Sequence, residues 1–274
     1  MTDTDLRRDA LAKVPAVTLG FWIIKILATT LGETGGDTVT MSWLGETTDH
    51  PVPHGYLIGT AIFGVILVAL VVAQIRAKTF NRWLYWATIV ASTTCGTTLA
   101  DFADRSLGIG YPGGSLLLLA CVLLSLFAWY QTLGTINVNS VSGPREETFY
   151  WITITFSQTL GTALGDWSAD PLDEGGWGLG YGGGALLFGA LLAIIVLLYF
   201  RTRVSRVFLF WAAFILTRPL GATVGDFLDK PLDHGGLALS RPVASAVLAV
   251  AILVLIFVLP QRAGQHPGAA ETHA

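Results

Sequence analysis

Four times in this chain a tryptophan is followed fifteen residues later by an aspartate: Trp22 and Asp37, Trp86 and Asp101, Trp151 and Asp166, Trp211 and Asp226. The tryptophans lie 64, 65 and 60 residues apart, and a glycine stands five residues before each acid, at Gly32, Gly96, Gly161 and Gly221. Self-similarity at a fixed interval is the mark of a duplicated supersecondary unit, so whatever one unit does the other three must accommodate.

The unit is a membrane one. Of 274 residues 53% are hydrophobic and 13% charged, against roughly 25% charged in soluble domains. A crossing needs about 20 apolar residues, and eight stretches supply it, at roughly 15–36, 55–76, 80–100, 113–134, 148–165, 181–200, 205–225 and 241–260. Each repeat is therefore two spans, a first helix ending in the Gly/Asp motif and a second, more aliphatic helix returning. The expected fold is an all-α integral membrane protein of eight transmembrane helices, arranged as four tandem two-helix repeats in parallel orientation. The repeats run about 14–79, 80–135, 146–203 and 204–260 within a membrane domain of 14–260, between a tail of 1–13 and a disordered tail of 261–274.

Lysine and arginine collect in cytoplasmic loops. Eleven lie in the N-tail, between repeats or in the C-tail (Arg7, Arg8, Lys13, Arg76, Lys78, Arg82, Arg145, Arg201, Arg203, Arg206 and Arg262), whereas the loops inside repeats hold three, Arg105, Lys230 and Arg241. Both termini are thus expected in the cytoplasm and the acid-bearing ends outside, in a multi-pass protein of a bacterial inner membrane. The N-terminus lacks the apolar region and cleavage site of a signal peptide and reads as a retained tail. The polar link Asn137-Val-Asn-Ser-Val-Ser-Gly-Pro-Arg145 suggests two four-helix halves. Cys95 and Cys121 fall inside spans without metal or disulfide spacing and read as packing residues.

The repeated acid is the feature that asks for chemistry. A helix C-terminus already carries about half a negative charge. Four aspartates close together there must hold protons or gather a cation. Positions four, seven and eleven before each acid read Glu33, Thr30 and Ile26; Thr97, Thr94 and Val90; Thr162, Thr159 and Thr155; Ala222, Pro219 and Ile215. A polar stripe of this kind belongs on an interior face, and its oxygens suit hard ions such as magnesium, calcium or manganese. The candidate metal ligands are Asp37, Asp101, Asp166, Asp226 and Glu33, with Thr30, Thr94, Thr97, Thr159, Thr162, Gln158, Arg218 and Lys25 as polar lining. Lys25 and Arg218 are deep cations that break the repeat, and a pairing of Arg218 with Glu33 or an aspartate would lower the cost of both. Pro219 is expected to kink or break the seventh span.

Plainer readings stand beside these. Gly32 with Gly36, Gly96 with Ala100, Gly161 with Gly165 and Gly221 with Gly225 are small-xxx-small pairs that let backbones pack closely. The tryptophans serve as interface anchors or packing residues. Asp104, Asp170, Asp173, Glu174, Asp229 and Asp233 read as an acidic outer surface with turn-forming Asp-x-Gly-Gly sequences. His50, His54 and His234 lack regular spacing for a metal site.

Enzyme motifs are missing: no HExxH, no GxSxG and no glycine-rich phosphate loop. The Gly-Asp dipeptides lack the outer glycine of the GxGD of intramembrane proteases. Nothing suggests nucleic-acid binding or an organic cofactor.

The four Trp/Gly/Asp repeats, clearest in Gly161-Thr-Ala-Leu-Gly-Asp166 and Gly221-Ala-Thr-Val-Gly-Asp226, resemble a family of bacterial membrane-anchored proteins built from four tandem two-helix repeats of unknown function. The resemblance covers residues 14–260 and implies membrane location and architecture, but no site residues. Repeat two departs from it at Ala100, and repeat one has a longer outer loop. From the residues, the leading expectation is a secondary-active transporter or exporter of a hard inorganic cation (manganese, magnesium, aluminium or similar), driven by an ion or proton gradient, with the lipid bilayer and the cation or proton as partners. The alternative is a non-transporting scaffold or sensor, forming homo-oligomers through its glycine faces.

Overall fold

The computed structural model describes residues 11–48, 50, 52–232 and 235–265. Eight long helices occupy them: α1 (Leu19–Asp37), α2 (Gly55–Arg76), α3 (Arg82–Asp101), α4 (Tyr111–Leu133), α5 (Pro144–Ala169), α6 (Gly180–Arg201), α7 (Arg206–Asp229) and α8 (Arg241–Val258). Their starts are written locally. Thr18 and Asn81 cap α1 and α3 by accepting from the Phe21, Trp83 and Leu84 amides at 3.0–3.2 Å, and proline opens α4, α5 and α8, where its missing N–H costs nothing. α7 runs unbroken through Pro219, so the expected break is corrected. The ring of Pro219 instead packs beside Gly161, and its carbonyl accepts from Thr223 at 2.9 Å.

The helices form two shells. The first helices of the repeats make an inner ring in the order α1, α3, α5, α7 and back to α1. Each second helix crosses over to lie on the first helix of the following repeat: α2 on α3, α4 on α5, α6 on α7, and α8 on α1. The hairpin suggested by each repeat's sequence is thus opened, and every repeat is clasped by the one before it. Five helices, α2, α4, α6, α7 and α8, are long and apolar enough to cross a membrane. In the four outer ones only 11–17% of the apolar window is buried, against 56% in α7, because their aliphatic surfaces face outward to lipid. α1, α3 and α5 carry the threonines and charges that this shell shields.

Lipid tails are as apolar as leucine, so the inner ring must be held by close packing and polar contacts. The glycines provide the approach. Counting from each aspartate, the glycine at position −5 lies against residue −8 of the next inner helix: Gly32 on Thr93, Gly96 on the backbone between Gln158 and Thr159, Gly161 on Arg218, Gly221 on Thr29. One turn on, position −1 lies against −4: Gly36 on Thr97, Gly165 on Ala222, Gly225 on Glu33. Contacts therefore recur every four residues, along rows inclined to the helix axis. The row that runs toward the acids is −12, −8 and −4, rather than the −7 and −11 expected from a straight helix.

At the far end from the acids the ring is closed by aromatic doublets. Phe21-Trp22, Tyr85-Trp86, Tyr150-Trp151 and Phe210-Trp211 occupy positions −16 and −15, each pair edge-to-face at 5.1–5.3 Å. The Tyr85 and Tyr150 hydroxyls share a hydrogen bond of 2.6 Å. Three of the four tryptophans are buried packing residues, and two bond the connecting chain: Trp86 Nε1 donates to Gln261 at 3.0 Å and Trp211 Nε1 to the Ile136 carbonyl at 2.9 Å.

Of the tails expected at 1–13 and from 261 onward, residues 11–13 and 261–265 are described and meet this layer, whereas 1–10 and 266–274 lie outside the described residues. Leu11–Pro15 (β1) pairs antiparallel with Ala263–Gln265 (β2), and the buried Ala12 and Val14 join the aromatic core. The link between the halves is pinned as well. The Lys13 amide donates to Val141 O at 2.7 Å, and its ammonium pairs with the buried Glu147 at 2.6 Å.

The glycine lattice makes a direct prediction. Gly161→Ala places a methyl inside the space of the Arg218 stem and should cost roughly 1–3 kcal/mol by overpacking. Gly189→Ala, on the outer helix α6 with nothing within 4 Å, should instead stabilise by about 0.5–1 kcal/mol. Thermal unfolding in detergent checks the contrast.

Candidate functional site

All four repeated aspartates are buried, and the inner helices end side by side, so the acids meet at one end of the ring. Carboxylate oxygens of Glu33, Asp166 and Asp226 lie within 4.8 Å of one another, as do those of Asp37, Asp226 and Asp229. Asp226 belongs to both triplets. Asp101 joins through Arg105, whose Nε donates to it at 3.0 Å and whose Nη2 stands 3.8 Å from Asp170.

A row that the sequence reading did not single out lies immediately above. Position +4 reads Met41, Arg105, Asp170 and Lys230. All four side chains line a polar vestibule of about 730 Å³, with Glu174, Tyr181 and Arg241 among its other walls. Lys230 Nζ reaches 2.6 Å from Asp37 and 3.0 Å from Asp226, with Met41 Sδ at 3.5 Å. Burial alone would lower the Lys230 pKa, but Asp226, Asp37 and Asp229 more than offset it and hold the ammonium well above the usual lysine range. Arg241 stands 3.6 Å from Asp229, and Tyr111 donates to Asp170.

The sequence signal for this row was the charge count. The three cations in the loops inside repeats, exceptions to the basic-loop pattern, all partner aspartates of the cluster. Conversely, Asp170 and Asp229, expected on an acidic surface, are buried within the cluster. Asp173 and Glu174 are exposed, whereas Asp233 and His234 lie outside the described residues. His50 and His54 are exposed, and neither belongs to a cluster of metal-ligating side chains among the described residues.

The turn after the acid explains how repeats three and four set their +4 residue. In Pro171-Leu-Asp-Glu-Gly-Gly176 and Pro231-Leu-Asp-His-Gly-Gly236 the last glycine presses on the backbone carbonyl of Asp170 or Lys230. The same carbonyls accept from Gly178 and Ala238 at 2.8 and 2.9 Å.

Below the acids, Arg218 reaches into the −4 layer and touches the three other inner helices. Its Nη2 pairs with Glu33 of α1 at 2.9 Å, donates to Thr97 of α3 at 2.6 Å and bonds Thr162 of α5. The expected Glu33–Arg218 pair is therefore present. Arg218 Nε and Nη1, both Gln158 amide atoms and Thr93 Oγ1 are buried without a hydrogen-bond partner among the described residues. Lys25, wholly buried, makes no ion pair with any described residue. It sits over the Phe214 ring at 4.1 Å and donates to Thr217 at 3.3 Å. Thr30, Thr94 and Thr159 are buried, but their hydroxyls donate to their own helices four residues back, at 2.9–3.0 Å. They line helix seams instead of adding donors to the acid cluster.

Seven buried acids (Glu33, Asp37, Asp101, Asp166, Asp170, Asp226, Asp229) thus face four cations (Arg105, Arg218, Lys230, Arg241). Asp166 makes no ion pair with any described residue. The C-terminal ends of α5 and α7 add further negative potential, whereas α1 and α3 continue past their acids as π-helical turns, Thr38–Trp43 and Phe102–Ser106. The remaining charge is met by protons or by a bound cation, and the donors are hard oxygens.

These features define an all-helical membrane protein of four tandem repeats around a shared carboxylate cluster. The chain belongs to the family of the Repeat of Unknown Function DUF347, whose sequence model matches it four times, over residues 20–80, 84–135, 149–205 and 209–262. No curated protein and no solved structure matches it.

Two predictions follow from the charges. Glu33→Gln and Arg218→Met should each cost about 3–5 kcal/mol by stranding a buried partner, and the double substitution should recover most of the loss in thermal unfolding. At Asp104, just beyond α3, burial raises the carboxyl pKa from 3.8 to about 6, with Arg105 opposing. A raised carboxyl pKa favours the fold at low pH, and that contribution is lost as pH climbs from about 4 to about 6. Asp104→Asn should therefore raise the melting temperature relative to the parent at pH 7.5 and not at pH 4. Equal effects at both would contradict the shift.

Proposed function

We propose that the protein is a secondary carrier of a hard inorganic cation, with Glu33, Asp166 and Asp226 as its principal ligands and Asp37 and Asp101 completing the acidic chamber. The observation that carries this reading is the unbalanced charge: seven buried carboxylates meet four cations, and Asp166 has no ion-pair partner among the described residues. A carboxylate cluster in this condition exchanges protons for a cation with little net change in charge. That is the elementary step of proton-coupled transport. The positive-inside asymmetry supports a vestibule that faces outward from a bacterial inner membrane, with both termini in the cytoplasm.

One observation favours the alternative of a scaffold or sensor. Arg218 crosses the inner ring and the aromatic doublets close its other end. A carrier needs this to be one state of an alternating cycle, with Arg218 releasing Glu33 when the chamber is refilled. A scaffold needs no such release.

The test is a cation series on the purified protein, followed by flux in proteoliposomes. Manganese, magnesium or calcium should stabilise the parent by about 2.7 kcal/mol at a hundred times its dissociation constant. Asp166→Asn should remain folded and lose both this stabilisation and proton-coupled flux. Indifference of both proteins to every hard cation would favour the scaffold.

A further inference from the structure

Lys230 occupies the second carboxylate triplet in the manner of a bound ion. Its Nζ lies 2.6 Å from Asp37 Oδ2 and 3.0 Å from Asp226 Oδ1. Asp229 completes that triplet within 4.8 Å, and Asp37 Oδ1 is wholly buried with no hydrogen-bond partner among the described residues. The site thus has more oxygen capacity than the ammonium uses. We infer that Lys230 is a tethered counter-ion, and that a hard divalent cation displaces it to bind Asp37, Asp226 and Asp229. The inference rests on the carrier reading and adds a second site with its own gate.

Charge selects the valence. Asp37, Asp226 and Asp229 are faced by Lys230 and, at 3.6 Å, by Arg241. With both cations in place the group keeps one negative charge. If Lys230 leaves and a divalent ion enters, three carboxylates are balanced by the ion and Arg241. A monovalent ion would merely reproduce the ammonium. Three carboxylates favour the magnesium, calcium and manganese class.

The exchange needs only a side-chain movement. The Lys230 backbone is held by Ala238, whose amide donates to its carbonyl at 2.9 Å, and by the close approach of Gly236. The side chain borders the vestibule, where Asp170 and Glu174 are on hand to receive a displaced ammonium. Position +4 is Met41, Arg105 or Asp170 in the other repeats, so the repeat fold itself does not call for lysine there.

The full-length protein in detergent, titrated with manganese(II) and followed by the ion's electron paramagnetic resonance, tests this. Lys230→Gln should bind manganese at least tenfold more tightly than the parent, and Lys230→Gln combined with Asp229→Asn should lose that gain. Parent binding that is abolished by Asp166→Asn yet unchanged by Lys230→Gln would keep the carrier reading and overturn the tethered counter-ion. Absence of binding in both the parent and Lys230→Gln would overturn both. A second measurement stays on the parent chain: manganese should speed acylation of Lys230 by an amine-reactive ester about tenfold, read by mass spectrometry. Unchanged or slowed labelling would refute displacement.

Discussion

The Arg218 guanidinium is the contact on which the inner ring depends. It is wholly buried and binds one oxygen on each of the three other inner helices, through Glu33, Thr97 and Thr162. A guanidinium stays charged at such depth and needs oxygen partners, so the helices around Arg218 are tied together through it. The arginine in turn needs room, which Gly161 provides by offering no side chain where the Arg218 stem crosses α5. The glycine motif and the buried ion pair are therefore one device: the first brings helices close enough for the second to be satisfied.

The same spacing joins packing to chemistry. Because contacts recur every four residues, positions −8, −4, 0 and +4 stack as successive layers down the ring. Three of the four repeats carry threonine or alanine at −4, and the fourth carries Glu33. At −8, Arg218 replaces what is threonine or glutamine elsewhere. These two charged departures from the repeat fall on its inward row, each packed against a glycine, Glu33 on Gly225 and Arg218 on Gly161, and each changes the electrostatics of a shared chamber.

Much of this was legible in the sequence, and the losses have physical causes. Span lengths are dictated by bilayer thickness, so the eight helices could be read within a few residues. The interval from tryptophan to aspartate fixed where each repeat places its acid, and Glu33 and Arg218 stood out as charges needing each other. The inward row was misjudged because a straight helix turns 100° per residue, whereas helices packed through small residues cross at an angle and keep every fourth residue in line. Thr30, Thr94 and Thr159 fell on the seams for that reason. The clasp of each second helix on the next repeat leaves no local trace, since an aliphatic helix packs as well on one neighbour as on another. The aromatic doublets and the +4 row were present as a regular pattern, but only the tryptophan and the acid of each had been counted. Asp170 and Asp229 looked like solvated turn residues because their partners, Arg105, Tyr111 and Arg241, come from elsewhere in the chain.

The two ends of the ring are held by forces of different kind. At one end interlocked aromatic rings, the strand pair and the buried Lys13–Glu147 bridge join residues 11–15, residues 263–265 and the central link into one packed layer. Separating it would expose large apolar surfaces and strand backbone groups. At the other end the helices are tied by ion pairs around a vestibule. The loop cations Arg105, Lys230 and Arg241 all lie at that end, beside Asp101, Asp37, Asp226 and Asp229. The ring is thus held by apolar packing at its aromatic end and by ion pairs at its acidic end, so the two ends answer to different physical forces.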